Sequence, residues 1–393
     1  MKQALEGLRI LDFTALYPGP LATMLLADLG ADVVRIDAPN RPDMLRYLPP
    51  HGPDGQGALF RMVNRNKRSL SMNLKAAGSV EVVKRLVQHF DIVIEQFRPG
   101  VMKRLGLGYE ALKAINPSII YCSISSFGQT GPLIDHPGHD INFLALSGLS
   151  SHLGRKGSGP LPLNALIGDV GGGTYGAVTG ILAAVIHRQH TGEGQQVDIS
   201  MTDGALLMNA LAATAALAAN EDVGPEESWL NGGGAYDYYQ TRDGRYLSVG
   251  ALEPKFFAMF VHAIDRPDLE AMYLALGEDA VALKKAIADA VAERDFNDWV
   301  EVFERIQCCV EPVLTPTEAV SSELFAARGM VVDVPLPEGG SQRQLGNPIR
   351  LSETPARYVH ASHAAGQDSD AVLAEAGFEA DEIAALRRDQ SIS

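Results

Sequence analysis

The chain has 393 residues, 46% hydrophobic and 21% charged, with a formal net charge of -15. That length allows two domains with a sizeable core, and the acidic balance excludes nucleic acid or an anionic membrane surface as a partner for the whole surface. Three cysteines, Cys122, Cys308 and Cys309, with no CxxC or His/Cys spacing, predict a reducing compartment, no disulfide framework and no metal site.

Residues 1–15 lack the apolar core and small-residue cleavage site of a secretory signal, and the ending QSIS is not a peroxisomal address, so the cytoplasm is the expected location. The segment LRILDFT at 8–14 predicts a strand, PGPLATMLLADLG a helix that stops at Gly30, and residues 33–37 a second strand. The alternation continues with a helix near 80–89, the strand run DIVIEQF at 91–97, a helix near 109–115 and SIIYCSIS at 118–125. A helix near 174–187, the strand QVDIS at 196–200 and an apolar helix after Asp203 follow. The apolar stretch 205–219 is shorter than the ~20 residues of a bilayer span and reads as a buried helix, so no membrane partner is expected. This order predicts an α/β protein with a Rossmann-like, doubly wound parallel sheet, its large domain occupying 1–228 in a first part.

Near 221–234 the composition turns acidic and glycine-rich, and YDYYQTRDGRYLSVG follows with Asp243-Gly244 at a hairpin turn. A smaller α+β domain is therefore expected over 229–330, with helices at about 280–306. Beyond a loop-rich stretch at 335–355, residues 331–393 are expected to return to the large domain through helices near 369–376 and 381–387.

Positive charge is concentrated: Arg61, Arg65, Lys67, Arg68, Lys75, Lys84, Arg85, Arg98, Lys103 and Arg104 place ten of 33 basic residues within 44 positions. A charge run by itself reads as a solvated face; the alternative is a pocket for a ligand with several phosphates, which guanidinium forks and ammonium groups grip well. The first strand-to-helix turn, TALYPGPLA, lacks GxGxxG, and GRKGSG at 154–159 lacks the ending of a phosphate loop, which disfavours classical NAD binding and NTP hydrolysis. Two further segments, GHDINF at 138–143 and LNALIGDVGGGTYG at 163–176, set His139 and Asp169 beside apolar residues. Taken singly each has a structural reading, a hydrogen-bonded histidine and a helix N-cap, while the N–H groups of glycines 171–173 offer a place for a developing oxyanion.

These motifs together resemble the family III CoA-transferase (CaiB/BaiF) superfamily, and the likeness covers nearly the whole chain. It is carried by GLRILDFTALYPGPLATMLLADLGADVVRID, NRNKRSLSMNLK at 64–75, EQFRPGVMKRLGLGY at 95–109, SSFGQTGP at 125–132, GDVGGGTYGAVTGILAAV and LGNPIRLSETPA. The resemblance implies an acyl-CoA substrate, coenzyme A as part of that substrate rather than a bound cofactor, and an interlocked homodimer with the site between the large domain of one chain and the small domain of the other. It further implies that Met72, Asn73, Leu74, Lys75, Gln96, Phe97, Arg98 and Arg104 hold CoA, and that Gly138, Asp140, Ile141, Asn142 and Phe143 flank the substrate. Ala38 stands where the family usually has a basic residue, and Arg41 is a candidate substitute.

Transferases of the family use an aspartate at the position of Asp169 as nucleophile, through a mixed anhydride. The alpha-methylacyl-CoA racemase branch keeps that aspartate and adds a histidine at the position of His139 and a supporting carboxylate at that of Glu253. GHDINF and GALEPKFF therefore point to a racemase acting on 2-methylacyl-CoA by two-base proton transfer through an enolate, whereas RYLPPHGPDGQGALFRM at 46–62 is closer to the transferase pattern. A CoA-transferase and a non-catalytic acyl-CoA-binding protein are the alternatives.

Overall fold

Six parallel strands, β1 (Arg9–Phe13), β2 (Asp32–Asp37), β3 (Lys67–Ser71), β4 (Ile92–Glu95), β5 (Ile120–Ser125) and β6 (Gln196–Ser200), form one sheet in the order β3-β2-β1-β4-β5-β6. They belong to a computed structural model that describes residues 2–52, 54–76 and 78–393. The inner strands β1, β4 and β5 are buried along nearly their whole length, as strands with both faces covered must be. The strand order reverses between β1 and β4, and the crevice outside the carboxyl ends of such a pair is where open α/β sheets bind ligands.

β3 was not expected as a strand, because KRSLS reads as part of a basic run. Its Lys67, Ser69, Leu70 and Ser71 are nonetheless buried, paired in parallel with β2 from Val33↔Lys67 to Asp37↔Ser71. The strand is possible because its charges find partners inside the fold, as described below.

The chain divides into two compact units, residues 1–144, 165–208 and 323–393 in the first and residues 145–164 and 209–322 in the second. The expected boundaries at 229 and 331 are thus corrected to 209 and 323, and GRKGSG joins the second unit. The cause is electrostatic: the Arg155 guanidinium forks onto Asp237 with two bonds of 2.6 Å and reaches Glu226 at 3.0 Å, while Lys284 closes on both acids at 2.8 Å.

In the first unit, Val372, Leu373 and Ile383 of the helices Ser369–Glu375 and Ala380–Arg388 join Leu11, Val34, Leu70 and Val93 in one core. The stretch expected to be loop holds a strand, β11 (Ser341–Leu345), paired antiparallel with β10 (Val331–Pro335), which ends where that stretch begins. The helical stretch Gly168–Thr191 is apolar and long enough to cross a membrane by length and composition, and 44% of its apolar window is buried.

The second unit has an antiparallel sheet of β7 (Asp237–Gln240), β8 (Tyr246–Val249) and β9 (Val310–Pro312), with Gly244 at φ 84° in the turn. Its core is aromatic, with Phe257, Phe260, Trp299 and Phe303 buried together. The expectation of a buried helix over 205–219 fails in its second half. Met201–Met208 buries Met201 and Ala205, but Ala210–Ala219 buries no residue, and Leu211 and Leu217 are 75% and 89% exposed.

Candidate active site

The first strand-to-helix turn opens the site. Leu16 sits in the left-handed region at φ 63°, a costly conformation for a leucine, and its N–H is held by Asp43 (2.9 Å). Pro18 and Pro20 then start the helix Pro18–Asp28 without N–H groups, and the N–H of Gly19 donates to Gln96 Oε1 at 3.1 Å. The helix end that grips pyrophosphate in dinucleotide enzymes has spent its donors here. Gln96, at the carboxyl end of β4, therefore ties the two strands of the reversal point together. A Cβ on Gly19 would lie 2.4 Å from Thr14 and 2.7 Å from Gln96, so only glycine fits.

His139 is exposed and immediately precedes the helix Asp140–Leu146; its backbone N–H donates to the Asn142 side chain at 3.0 Å, half of a capping-box arrangement. Asp140 is buried, and its Oδ1 accepts the backbone N–H of Asp169 at 2.9 Å. One residue after His139, the chain thus grips the residue that carries the second candidate. Asp169 lies in a π-helical turn, Gly168–Thr174, that runs into the helix Tyr175–Thr191; such turns concentrate at functional positions. Burial, reinforced by the charge of Asp140 and opposed by His139, pushes its carboxyl up to about 6.

The glycines after Asp169 do not form the expected oxyanion hole. They lie inside the π-helical turn, where N–H groups bond to carbonyls five residues back. Their role is close packing: a Cβ on Gly172 would lie 2.6 Å from the Met201 carbonyl oxygen and 3.1 Å from the Gly204 Cα.

Residues 138–143 divide by role. His139 and Ile141 are exposed, Asn142 serves the helix start, and Phe143 is a fully buried core residue stacked edge-on against Phe127. Gly138 is required by that ring, since a Cβ there would lie 2.7 Å from it.

The basic run separates into two groups. Arg61 pairs with Asp54 and Glu338, Arg65 with Asp28, Lys67 with Asp12, Arg68 with Asp32 and Glu375, Lys84 with Glu81 and Arg85 with Glu382. For these six the structural reading holds. Lys75, Arg98, Lys103 and Arg104 are exposed and make no ion pair among the described residues, and neither does the exposed Arg41 beyond β2. Leu74, Phe97 and Leu105 pack half-buried on one core cluster, so the loop after β3 and the loop and short helix Val101–Arg104 after β4 present those four cations from the same layer. Met72 is a core residue bridged to Ile392 through its backbone, and Asn73 donates its N–H to Ser391, so neither presents these groups to a ligand.

The chain matches the family model CoA-transferase family III over residues 5–369. It belongs to that family. It is 34% identical to the alpha-methylacyl-CoA racemase of Homo sapiens, covering 99% of this chain and 97% of the relative. It is 32% identical to the formyl-CoA:oxalate CoA-transferase of Streptomyces coelicolor, covering 98% of each. Among solved structures, a CAIB/BAIF family protein from Brucella suis superposes with a TM-score of 0.83 at 29% identity, over 96% of this chain and all of that one.

Within this family III site, two groups escape sequence reasoning. Tyr17 is half-buried, and its phenol is held above its ordinary range by burial and then by the charges of Asp169 and Tyr175. Glu95, buried at the end of β4, accepts the Phe97 N–H at 2.8 Å, and burial pushes its carboxyl up to about 7. The available signal was position, both lying at the carboxyl ends of the strands where the order reverses. Glu253 belongs to the second unit; it is exposed at the start of the helix Pro254–Ala263 and its side chain makes no cap bond. No group of three or more metal-ligating side chains occurs among the described residues.

Proposed function

We propose that this family III protein is an acyl-CoA racemase that inverts the alpha carbon of 2-methylacyl-CoA thioesters. The observation that carries the reading is the bond from the Asp169 backbone to Asp140, which ties the carboxyl-bearing turn to the residue after His139. Inversion requires one group to take a proton from one face and another to return a proton to the opposite face. Neutral His139 takes the proton from the alpha carbon, the C–H electron pair becomes the enolate, and protonated Asp169 delivers its proton to the other face. For the other enantiomer the roles reverse.

A carboxyl near 6 suits this exchange better than it suits a nucleophile, because both its forms are populated close to neutrality. Tyr17, kept protonated, is a donor for the enolate oxygen, a role the glycines cannot fill. Lys75, Arg98 and Arg104 hold the CoA phosphates, with Arg41 in place of the missing cation at Ala38. Glu253, exposed and without a cap bond, is retained as the supporting carboxylate. The uncovered apolar helix Ala210–Ala219 supports a homodimer.

A second reading has its own support: the oxalate transferase relative is nearly as similar as the racemase. As a transferase, Asp169 would attack the thioester and carry the acyl group as an anhydride. Incubating a single-enantiomer 2-methylacyl-CoA in deuterium oxide without an acceptor acid separates the two. Deuterium at the alpha carbon with inversion is expected; no exchange, but CoA movement once a carboxylate is added, would replace the racemase by the transferase.

A further inference from the structure

The NRNK motif at 64–67 is left without a task by this reading, since its charges face inward. Lys67 and Asp12 are both fully buried, with Nζ 3.2 Å from Asp12 Oδ2, 3.0 Å from Asn64 Oδ1 and 2.9 Å from the Pro20 carbonyl oxygen. These three acceptors match the three N–H bonds of the ammonium group. Asp12 in turn accepts from the Thr14 N–H (2.9 Å), the Thr14 hydroxyl and the Thr23 hydroxyl (2.5 Å each). The exit of β1 is bent around this pair.

From that exit the contacts lead to Asp169. The Pro18 carbonyl oxygen accepts from the Thr174 hydroxyl at 2.8 Å, and a Cβ on Gly173 would lie 3.1 Å from Pro18 Cβ. Thr174 closes the π-helical turn that carries Asp169. An apolar pair of similar volume would fill the space around Lys67 at less desolvation cost, but it would not direct a bond at the Pro20 carbonyl.

We propose that Lys67 is a positioning residue for the Asp169 carboxyl, acting through the Pro18-Gly19-Pro20 turn and the Thr174 hydroxyl. This rests on the reading of Asp169 as the acid/base group. The charged groups facing Lys67 are Asp12, Arg35 and Asp43, and those facing Asp169 are Asp140, His139 and Tyr17, with Tyr175 facing Tyr17. Loosening the turn admits water to Asp169 and weakens the burial that raises its pKa.

The test compares Lys67→Met, Thr174→Val and Asp169→Asn in the full-length protein, by inversion of the 2-methylacyl-CoA enantiomer whose alpha proton Asp169 removes, from pH 5 to 9. Arg68→Met is the control, because among the described residues the Arg68 side chain bonds Asp32 and Glu375 and none of the groups around Asp169. Lys67→Met should lower kcat by roughly tenfold to a hundredfold, the scale expected of a small misplacement of a reacting group, with KM within about twofold. The midpoint of the acid limb should fall by about one unit as Asp169 gains solvent. Thr174→Val should shift the limb the same way by less, and Arg68→Met not at all. A folded Lys67→Met protein with wild-type kcat and an unmoved limb overturns the proposal. If Lys67→Met does not fold, an unmoved limb in Thr174→Val overturns it equally. Wild-type inversion by Asp169→Asn overturns the acid/base reading and this inference together, whereas lost inversion there with an unmoved limb in Thr174→Val sinks this inference alone.

Discussion

Arg61, Arg65, Lys67 and Arg68 turn their charge inward onto Asp54, Asp28, Asp12 and Asp32, whereas Lys75, Arg98, Lys103 and Arg104 leave theirs in solvent with no ion pair among the described residues. The two groups read identically in sequence. Each charge of the first has a carboxylate from a neighbouring element, and for the fully buried pairs Arg65/Asp28 and Lys67/Asp12 removing one partner strands the other in a dry interior. Those of the second keep their hydration until a ligand's phosphates replace it. The difference teaches that a basic run is not one feature: the part on β3 and just before it serves the fold, and the part after β3 and β4 is free for function.

The largest test of that division is Arg65→Ala. Arg65 and Asp28 are both fully buried and joined by a fork of 2.7 and 2.9 Å, and leaving such a charge unpaired costs about 3–5 kcal/mol. Urea unfolding should show that loss; a change below about 1 kcal/mol would break the comparison.

Asp169→Asn probes the site in the opposite sense, by losing function and gaining stability. Inversion should fall by roughly a hundredfold or more, the contribution of a placed acid/base group. The folded pKa near 6 lies above the unfolded ~3.9, so the stability this group confers is full below ~3.9 and lost as pH rises through about 6. The neutral asparagine escapes that loss, and the melting temperature should rise by about 2 °C at pH 7 and not at pH 3.5. In the wild type, removal of a proton by Asp169 should decline about tenfold per pH unit below 6, while delivery by the protonated form does not.

The smallest effect belongs to the solvent-facing cations. Arg98→Ala and Arg104→Ala should each raise KM for the CoA thioester by roughly threefold to tenfold, less at high salt, with unfolding free energy unchanged within about 0.5 kcal/mol. Steady-state kinetics at two ionic strengths would show it. A stability loss as large as that of Arg65→Ala would erase the distinction.

Much of the fold is legible where apolar runs alternate with helical spacing. β1, β2, β4, β5 and β6 all lie on the expected segments, as do the helices of the return segment. β3 is not legible, because a strand of lysine, arginine and serine announces itself only through partners distant in sequence. The second unit's claim on residues 145–164 is hidden for the same reason, since Arg155 meets Asp237 across 82 positions. At the site, motif likeness singled out His139 and Asp169. The bond from Asp140 to Asp169 and the packing of Gly172 on Gly204 depend on approach in space, which residue types do not report.

β3 is an edge strand, and what completes it is made late. Ser69 N–H is held by Asp368, Met72 bridges Ile392, and Ser71 bonds Ser393 across 322 positions. At ~5–20 residues per second of synthesis, those partners follow by roughly 15–60 s. Throughout that interval the nascent first unit carries an unfinished sheet edge, the kind of surface on which chains pair wrongly. Arg68, half-exposed on that edge and joined by Glu375 only when the return segment arrives, sets a charge there during the wait, of the kind that discourages pairing with a second copy.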